Sequence, residues 1–469
     1  MSEKHIAIDL GATSGRVVVG NLEKIEVVHR FDSSNEIILG TLYWDIIKIF
    51  SEIKIGIKKA ISLYGDEIVS IAVDSWGVDY ALLDTNGVLV APVYHYRDKR
   101  GKEAFDEANT LIGKDRLFNT TGLAFQEYNT IYQLYSQLKS NKTIFKAASN
   151  YLSVPDLIAY FLTGKIVNER THASTTGLYN CKTKDWAWDI IEDLDLPKDI
   201  FSPIVNSGSV IGSLETNLRK EFGIKESVKV IACATHDTAS AVSFLSSAYI
   251  SSGTWSLIGI NLDKPLLDKQ ALNKGFTNET GGDGQITLVK NIMGLWISNQ
   301  CLESHFGKGN KLNWKEIDFQ TNESLSYKGY IDPLCPLFVS PNSPENSMKE
   351  RVYNYLTDNG FAPPLSIGEY LVAIYRGLAK SYHNALLEIQ MLTDIKIDGL
   401  QILGGGCQND ILNKLTAEEI AKPVKTGPVE ATALGNIIYQ IKGMSKNPVS
   451  DEDLKNIYKD LLVKEFNPR

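Results

Sequence analysis

Near the N-terminus, Ile6 to Arg16 reads I-A-I-D-L-G-A-T-S-G-R. A short apolar run suited to a buried strand breaks at Asp9 into small residues with two glycines, then resumes as Val17 to Val19. That pattern predicts a strand, a tight turn and a second strand. A turn of Gly11, Ala12, Thr13, Ser14 and Gly15 leaves backbone N–H groups for an anion, Thr13 and Ser14 add hydroxyls, and Arg16 adds a positive charge. Asp9, at the end of the strand, is placed to hold a magnesium ion or its waters. An ordinary glycine-containing hairpin fits the same letters, so this stretch alone decides nothing. A second copy changes that. Tyr249 to Ile260 reads Y-I-S-S-G-T-W-S-L-I-G-I, again small hydroxyl residues and a glycine between apolar runs. Two phosphate-type hairpins imply two similar lobes, and no G-x-x-x-x-G-K-[ST] loop occurs in the chain.

Length agrees with duplication, because 469 residues exceed one ordinary hydrophobic core. The formal net charge of -8 argues against nucleic acid or an anionic membrane as the main partner. The cysteines, Cys181, Cys233, Cys301, Cys335 and Cys407, are odd in number, widely spaced and without C-x-x-C, so neither a zinc site nor a disulfide framework is expected. The polar start, Met1 to His5, runs directly into a strand, so secretion and membrane insertion are not expected and the location is read as cytoplasmic.

Between the hairpins, Asp45 to Tyr64 has helical spacing, with Asp45 as N-cap and Gly65 as stop. Ile68 to Val73 is a strand leading into D-S-W-G-V-D-Y, Asp74 to Tyr80, and then a hairpin-like Ala81 to Val90 turning at Asn86-Gly87. Trp76-Gly77 suits either a wall for a small polar ligand or core packing. The cluster Tyr96 to Arg100 reads as a solvated loop, and His172 as a structural histidine. Val228 to Ala232 is a strand that delivers A-T-H-D-T-A-S-A-V, with a helix starting at Ala239 and Asp237 and Thr238 just ahead of it. Asp237 is then either a group facing a ligand or a plain N-cap. The second hairpin is followed by a glycine-rich loop, Thr277 to Gly284, and by V-K-N-I-M-G-L-W, Val289 to Trp296. Ser366 to Met391 carries a helical apolar face behind a Ser366/Glu369 capping box. Gly399 to Leu403 is a strand ending in G-G-G-C-Q-N-D, where the glycines allow close backbone approach. Gly427 to Asn436 starts a small-residue helix expected to pack behind that turn, and Asp451 to Phe466 reads as an amphipathic surface helix.

The motifs D-L-G-A-T-S-G-R, D-S-W-G-V-D-Y, Y-R-D-K-R, T-H-D-T-A-S-A-V, S-S-G-T-W-S-L, K-N-I-M-G-L-W, L-G-G-G-C-Q-N and G-P-V-E-A-T-A-L-G-N follow one another along nearly the whole chain. As an ordered set they resemble the FGGY family of carbohydrate kinases, within the actin and hexokinase superfamily. The resemblance implies an α/β protein of two actin/hexokinase-like, ribonuclease H-like lobes with an ATP and sugar cleft between them. Residues 1–243 would form the N-terminal lobe with the sugar site and first phosphate hairpin, and 244–469 the C-terminal lobe with the second hairpin and the adenosine site. It also implies transfer of the γ-phosphoryl group of ATP, with Mg2+, to a ketose hydroxyl. W-G-V-D and T-H-D-T favour the 1-hydroxyl of L-rhamnulose, with L-fuculose and L-ribulose as alternatives and a non-catalytic ATP-dependent sugar sensor as a reading of another class. Asp237 would be the catalytic base, with Gly77, His236, Thr238 and Asn291 toward the sugar. Ala12, Thr13, Ser14, Gly15 and Arg16 would cradle phosphates, Thr254 would serve the second phosphate turn, and Gly404, Gly405 and Gly406 would border the adenosine. A further polar group toward ATP falls by spacing at Asn299, with Gln300 next door, and Asp9 would serve the metal. The implied partners are a ketose and ATP, with no nucleic acid and no membrane, in a monomer or small homo-oligomer.

Overall fold

The computed structural model describes residues 3–224, 228–343, 345–445, 450, 452 and 463–468. The chain divides into two compact units. One holds the chain as far as Phe244, together with Asn261–Leu288 and the helix Ala431–Met444; the other holds Leu245–Ile260, Val289–Glu430 and the strand Lys464–Phe466.

The first unit is built on a six-stranded sheet in the order Ser209–Ser213, Lys229–Ala232, Ile68–Ser75, Lys4–Leu10, Ser14–Gly20, Ile25–Asp32. Lys4–Leu10 and Ser14–Gly20 form the antiparallel hairpin expected from the sequence, with Asp9 opposite Arg16. Ile68–Ser75 runs parallel to Lys4–Leu10, and Lys229–Ala232 runs parallel to Ile68–Ser75. The inner strands Lys4–Leu10, Ile68–Ser75 and Lys229–Ala232 are almost wholly buried because both faces of the sheet are covered. Ile6, Ile8 and Leu10 share a core with Ile49, Ile53 and Ile57 of the helix Ile46–Tyr64, whereas Ala7 and Val18 pack with Ala433 and Ile437 of Ala431–Met444. Asp45 caps the first of these helices by accepting from Lys48 N, and Gly65 ends it at φ 52°.

The second unit repeats the motif. Ala248–Ser252 pairs antiparallel with Trp255–Leu262 and parallel with Leu400–Leu403, which is followed in order by Val424–Thr426 and Lys464–Phe466. A hairpin whose first strand then gains a parallel neighbour is therefore present in both units. The helix Ile367–Thr393 buries Leu371, Tyr375, Leu378, Tyr382, Ala385 and Ile389, the face read from the sequence. Ser366 caps it through Glu369 N, but the Glu369 carboxylate accepts from Leu365 N, so the second half of the expected capping box is not made.

Several expectations are corrected. The helix at the T-H-D-T motif spans Asp237–Val242, starting two residues before Ala239, with His236 rather than Asp237 as its N-cap. Thr277 to Thr280, read as loop, lies in the buried strand Phe276–Thr280, leaving only the following glycines in the turn. The cluster at Tyr96 to Arg100 is not simply solvated: Arg100 is buried, its guanidinium carbon 3.5 Å from the Tyr94 ring centroid, and it donates to Gln133 Oε1. Trp76 belongs to the core, 4.1 Å from Trp44 between ring centroids, with its indole N–H on Asp79 Oδ2. The helix after Gly427 packs in the first unit rather than behind the glycine turn at Gly404. Of the expected C-terminal helix, residues 451 and 453–462 lie outside the described residues, and Lys464–Phe466 is a strand paired with Val424–Thr426. All five cysteines are unbridged, and among the described residues no helix is long and apolar enough to cross a membrane.

Candidate active site

Three adjacent parallel strands of the first unit deliver carboxyl groups at their C-terminal ends, where open α/β sheets bind ligands. Asp9 is next to last in the first strand, Asp74 sits in register beside it, and the chain leaving the third strand passes through Cys233, Ala234 and Thr235 to His236 and Asp237. Ser75 and His236 form a parallel bridge that carries this alignment past the end of the third strand.

The two oxygens of Asp237 differ. Oδ1 accepts from Thr238 N at 2.5 Å and Thr238 Oγ1 at 3.2 Å, and lies 3.4 Å from His236 Nε2. The side chain nevertheless keeps 34% exposure, and the bonds to Thr238 all fall on Oδ1. Burial of the position raises the carboxyl pKa, His236 opposes that, and Asp9 adds to it. Thr238 is itself buried, and its N–H and hydroxyl are spent on holding Asp237. Gly77 stands close by: a Cβ there would lie 3.2 Å from Thr175 Oγ1 and 3.4 Å from His236 Nε2. The next residue, Val78, has φ 71°, a conformation costly for a β-branched side chain. Val78 O is held by Thr130 Oγ1 at 2.7 Å, which fixes the strained turn beside Gly77.

Asp9 is paired with Arg16, Nε to Oδ2 2.8 Å, so the arginine of the first hairpin balances the carboxylate. At the turn itself Gly11 N–H is closed onto Ser14 O, Thr13 and Ser14 are exposed at the tip with Ala12 half-buried before them, and Gly15 is packed so that a Cβ would meet the Phe31 ring at 2.4 Å. Gly15 is thus required by packing. Asp74 is buried, and its pKa is well above the usual carboxylate range: burial is the main cause, Asp9 and Asp237 add repulsion, and the Asn436 hydrogen bond works against both.

The second unit contributes the other expected positions. Thr254 O accepts from Gly294 N at 3.1 Å and Trp296 N at 3.3 Å, and a Cβ on Gly294 would come within 2.7 Å of the Trp255 carbonyl carbon, which explains the glycine of K-N-I-M-G-L-W. Asn291 is half-buried on the strand Ile286–Met293. Asn299 is exposed on the helix Trp296–Phe306, whereas Gln300 is buried and bonded to Glu303 and Asn342. A Cβ on Gly404 would lie 3.0 Å from Ser252 O and one on Gly406 2.0 Å from Ser252 Oγ, so these two glycines pack against the second hairpin; Gly405 is exposed with open space above it.

Sequence reasoning assigned no part to four residues of the first unit. Glu169 accepts from Thr171 N, Thr235 N, Thr235 Oγ1 and Ser207 Oγ, and so fastens the loop that carries His236. Asn436 donates to Asp74 Oδ2 at 2.6 Å. Glu279 Oε2 lies 3.2 Å from His236 Nδ1. Asp74 and Asn436 belong to D-S-W-G-V-D-Y and G-P-V-E-A-T-A-L-G-N, where a polar residue among apolar or small neighbours is the available signal; Glu169 and Glu279 carry none beyond their charge. Among the described residues no group of three or more His, Cys, Asp or Glu is arranged to hold a metal ion.

Residues 5–243 match the N-terminal domain of the FGGY family of carbohydrate kinases, and residues 248–444 match its C-terminal domain. The chain belongs to the FGGY family. This FGGY kinase is 37% identical over 470 residues, 98% of each chain, to a protein of Halalkalibacterium halodurans named rhamnulokinase. It is 37% identical over 459 residues to one so named from Oceanobacillus iheyensis, covering 95% of this chain and 94% of that one. Among solved structures, a gluconate kinase from Lactobacillus acidophilus superimposes with a TM-score of 0.81 at 18% identity, covering 100% of this chain and 94% of the other. A xylulose kinase from the same organism superimposes with a TM-score of 0.79 at 19% identity and the same coverage. These likenesses establish the two-domain α/β fold of the FGGY kinases, and family membership makes the protein an ATP-dependent sugar kinase.

Proposed function

We propose that the protein transfers the γ-phosphoryl group of ATP to the 1-hydroxyl of L-rhamnulose in L-rhamnose breakdown, with Asp237 as general base. The observation that carries the mechanism is the asymmetry of Asp237, whose Oδ1 is engaged by Thr238 and faces His236 while the side chain stays open to a ligand. The choice of sugar draws on the name shared by the relatives from H. halodurans and O. iheyensis.

In the reaction the sugar O1 bonds to the γ-phosphorus while the bond from that phosphorus to the β–γ bridging oxygen breaks, and ADP leaves with that oxygen. The O1 proton passes to Asp237 Oδ2. A carboxylate is far too weak a base to ionise an alcohol beforehand, but in a loose phosphoryl-transfer transition state the nucleophile is weakly bonded and gives up its proton late. Asp237 therefore orients the hydroxyl first and accepts the proton afterwards. Gly77, beside His236, allows the sugar to approach backbone, and Arg16 with the Thr13 and Ser14 tip serves the phosphates. Thr254, Asn299 and Gly405 are the second unit's groups for the nucleotide, and Asn291 its group for the sugar.

Magnesium fits the donor set. A small hard cation that keeps most of its waters and shares substrate phosphates needs one or two carboxylates, not a protein cage. Asp9, in register with Asp74, supplies that oxygen chemistry without a three-ligand cluster. Bound there, Mg2+ would neutralise phosphate charge.

The test is sugar-dependent ADP release from Mg·ATP with L-rhamnulose, L-fuculose, L-ribulose, D-xylulose, glycerol and no sugar. Preference for L-rhamnulose with phosphate on position 1 supports the reading. Preference for another ketose replaces the substrate and keeps the mechanism, while ADP release indifferent to every sugar points to a sensor.

A further inference from the structure

Phe276–Thr280 is a wholly buried strand on which the Asn278 side chain and the Thr280 backbone have plain structural work. Asn278 donates to Gly122 O at 3.0 Å and Leu266 O at 3.1 Å and accepts from Leu266 N, and Thr280 N donates to Ser174 Oγ at 2.9 Å. Glu279 differs. It is 8% exposed, and its Oε2 is buried without a hydrogen-bond partner. That oxygen lies 3.2 Å from His236 Nδ1, which is likewise buried and without a hydrogen bond because the two are misaligned. The other ring nitrogen, Nε2, lies 3.4 Å from Asp237 Oδ1. An imidazole thus stands between two carboxylates, one buried on a strand and one open to ligand.

We propose that Glu279 is a positioning residue for phosphoryl transfer: by holding His236 through Nδ1, it directs Nε2–H at Asp237 Oδ1 and leaves Oδ2 for the acceptor alcohol. This rests on Asp237 being the base. Leaving a carboxylate buried and unpaired is expensive, so its retention beside an imidazole needs a compensating partner. Catalytic hydrogen bonds are commonly loose before substrate arrives, and a small rotation of His236 closes this one. The charged groups around the ring agree. Burial disfavours the imidazolium, but Glu279, then Asp237 and Glu169, outweigh it and lift the His236 pKa to about 8. His172, at 6.5 Å between ring centroids, is held neutral by burial with a pKa of about 3 and adds no competing charge of its own near neutrality. The doubly protonated ring donates from both nitrogens, which is what two flanking carboxylates require.

The experiment compares wild type with Glu279→Gln, His236→Asn, the double variant and Asp237→Asn in the full-length enzyme. The steady-state rate with the preferred sugar is measured across pH, and the His236 imidazole resonance is followed by NMR. Glu279→Gln keeps the shape and removes the charge. It should lower kcat about tenfold with the KM for ATP unchanged, the size of one lost positioning contact. It should also move the His236 titration to lower pH and bring the alkaline limb of the rate profile down with it. Combined with His236→Asn it should cost nothing further, because a residue acting through another is silent once that other is gone. Additive losses, a raised KM for sugar at unchanged kcat, or an unchanged His236 titration in a folded Glu279→Gln protein would each overturn the proposal. Near-normal turnover in Asp237→Asn would instead remove the reading beneath it, whatever Glu279→Gln does.

Discussion

Asp237 shows how much a single carboxylate depends on what surrounds it. The residue is not the helix N-cap; His236 takes that place, and the carboxylate stands at the first helical position with its own Thr238 N–H donating to Oδ1. Taken as the proposed base, Asp237 would lose its chemistry, not its shape, when one oxygen becomes an amide. Asp237→Asn is therefore expected to lower kcat by about 10²- to 10⁴-fold, the usual span for general base catalysis, while ADP binding by calorimetry stays within about twofold of wild type. Turnover close to wild type would remove Asp237 from the chemistry. The T-H-D-T letters left this residue as a ligand-facing group or a plain N-cap, and only the family resemblance named it the base. What they could not convey is which oxygen is tied, since that follows from the φ and ψ of two residues and from an imidazole turned toward them.

Among elements, the helix Ala431–Met444 departs furthest from expectation. Its small residues suggest support for the glycine turn at Gly404, but they serve a close approach to Asp237–Val242, which lies with this helix in the first unit. A Cβ on Gly435 would come 1.9 Å from the Ser240 carbonyl oxygen, which belongs to the backbone of the helix bearing Asp237. From the same helix a buried polar chain runs inward: Asn436 to Asp74 at 2.6 Å, Gln440 to Asn436 at 2.7 Å, Gln440 to Ile6 O at 2.9 Å and Ser70 to Gln440 at 2.6 Å. Small residues and two amides thus do one job, letting a late segment seat itself behind two early strands. Gly435→Ala should destabilise the protein by about 3 kcal/mol in urea unfolding, as expected of overpacking against an unyielding neighbour. The control is Gly405→Ala, where nothing lies within 4 Å and stability should be unchanged. Equal stability of the two variants would mean that the helices separate at little cost.

For the molecule as a whole, burial of ionisable groups sets how stability responds to pH. Asp156 is fully enclosed, and its pKa is pushed up to about 7, chiefly by burial and further by Glu169, against the Ser153 hydroxyl, which favours the charged form. In the unfolded chain it titrates at about 3.9. Between those values the folded state keeps a proton that the unfolded state has lost, so this group's contribution to stability falls as pH rises from about 4 to 7 and stays low above that. An asparagine in its place would keep an acceptor for Ser153 Oγ and Glu169 N without the ionisation. Asp156→Asn should therefore gain on wild type between about pH 5 and pH 8, by a few kcal/mol in urea unfolding, whereas every other titrating group cancels in the comparison because both proteins carry it. A difference that does not change with pH would mean that Asp156 is already ionised in the fold.

The paired hairpins, the helical faces at Ile46–Tyr64 and Ile367–Thr393 and the family's ordered motifs all follow from local rules of period, turn chemistry and small-residue runs. A linear sequence displays such rules directly. The two hairpins implied two similar lobes for the same reason, whereas the parallel neighbour that each hairpin's first strand gains emerged only in the fold. The tertiary structure alone decided which glycines are demanded by packing and which are open, that Arg16 pairs with Asp9, that Asn436 reaches Asp74 across 362 positions of chain, and that Glu279 comes to rest beside His236. Each of these joins groups far apart in sequence or sets one side chain's direction. Such contacts depend on how strands register and helices seat, and those are settled by burial summed over the fold, which no short stretch contains.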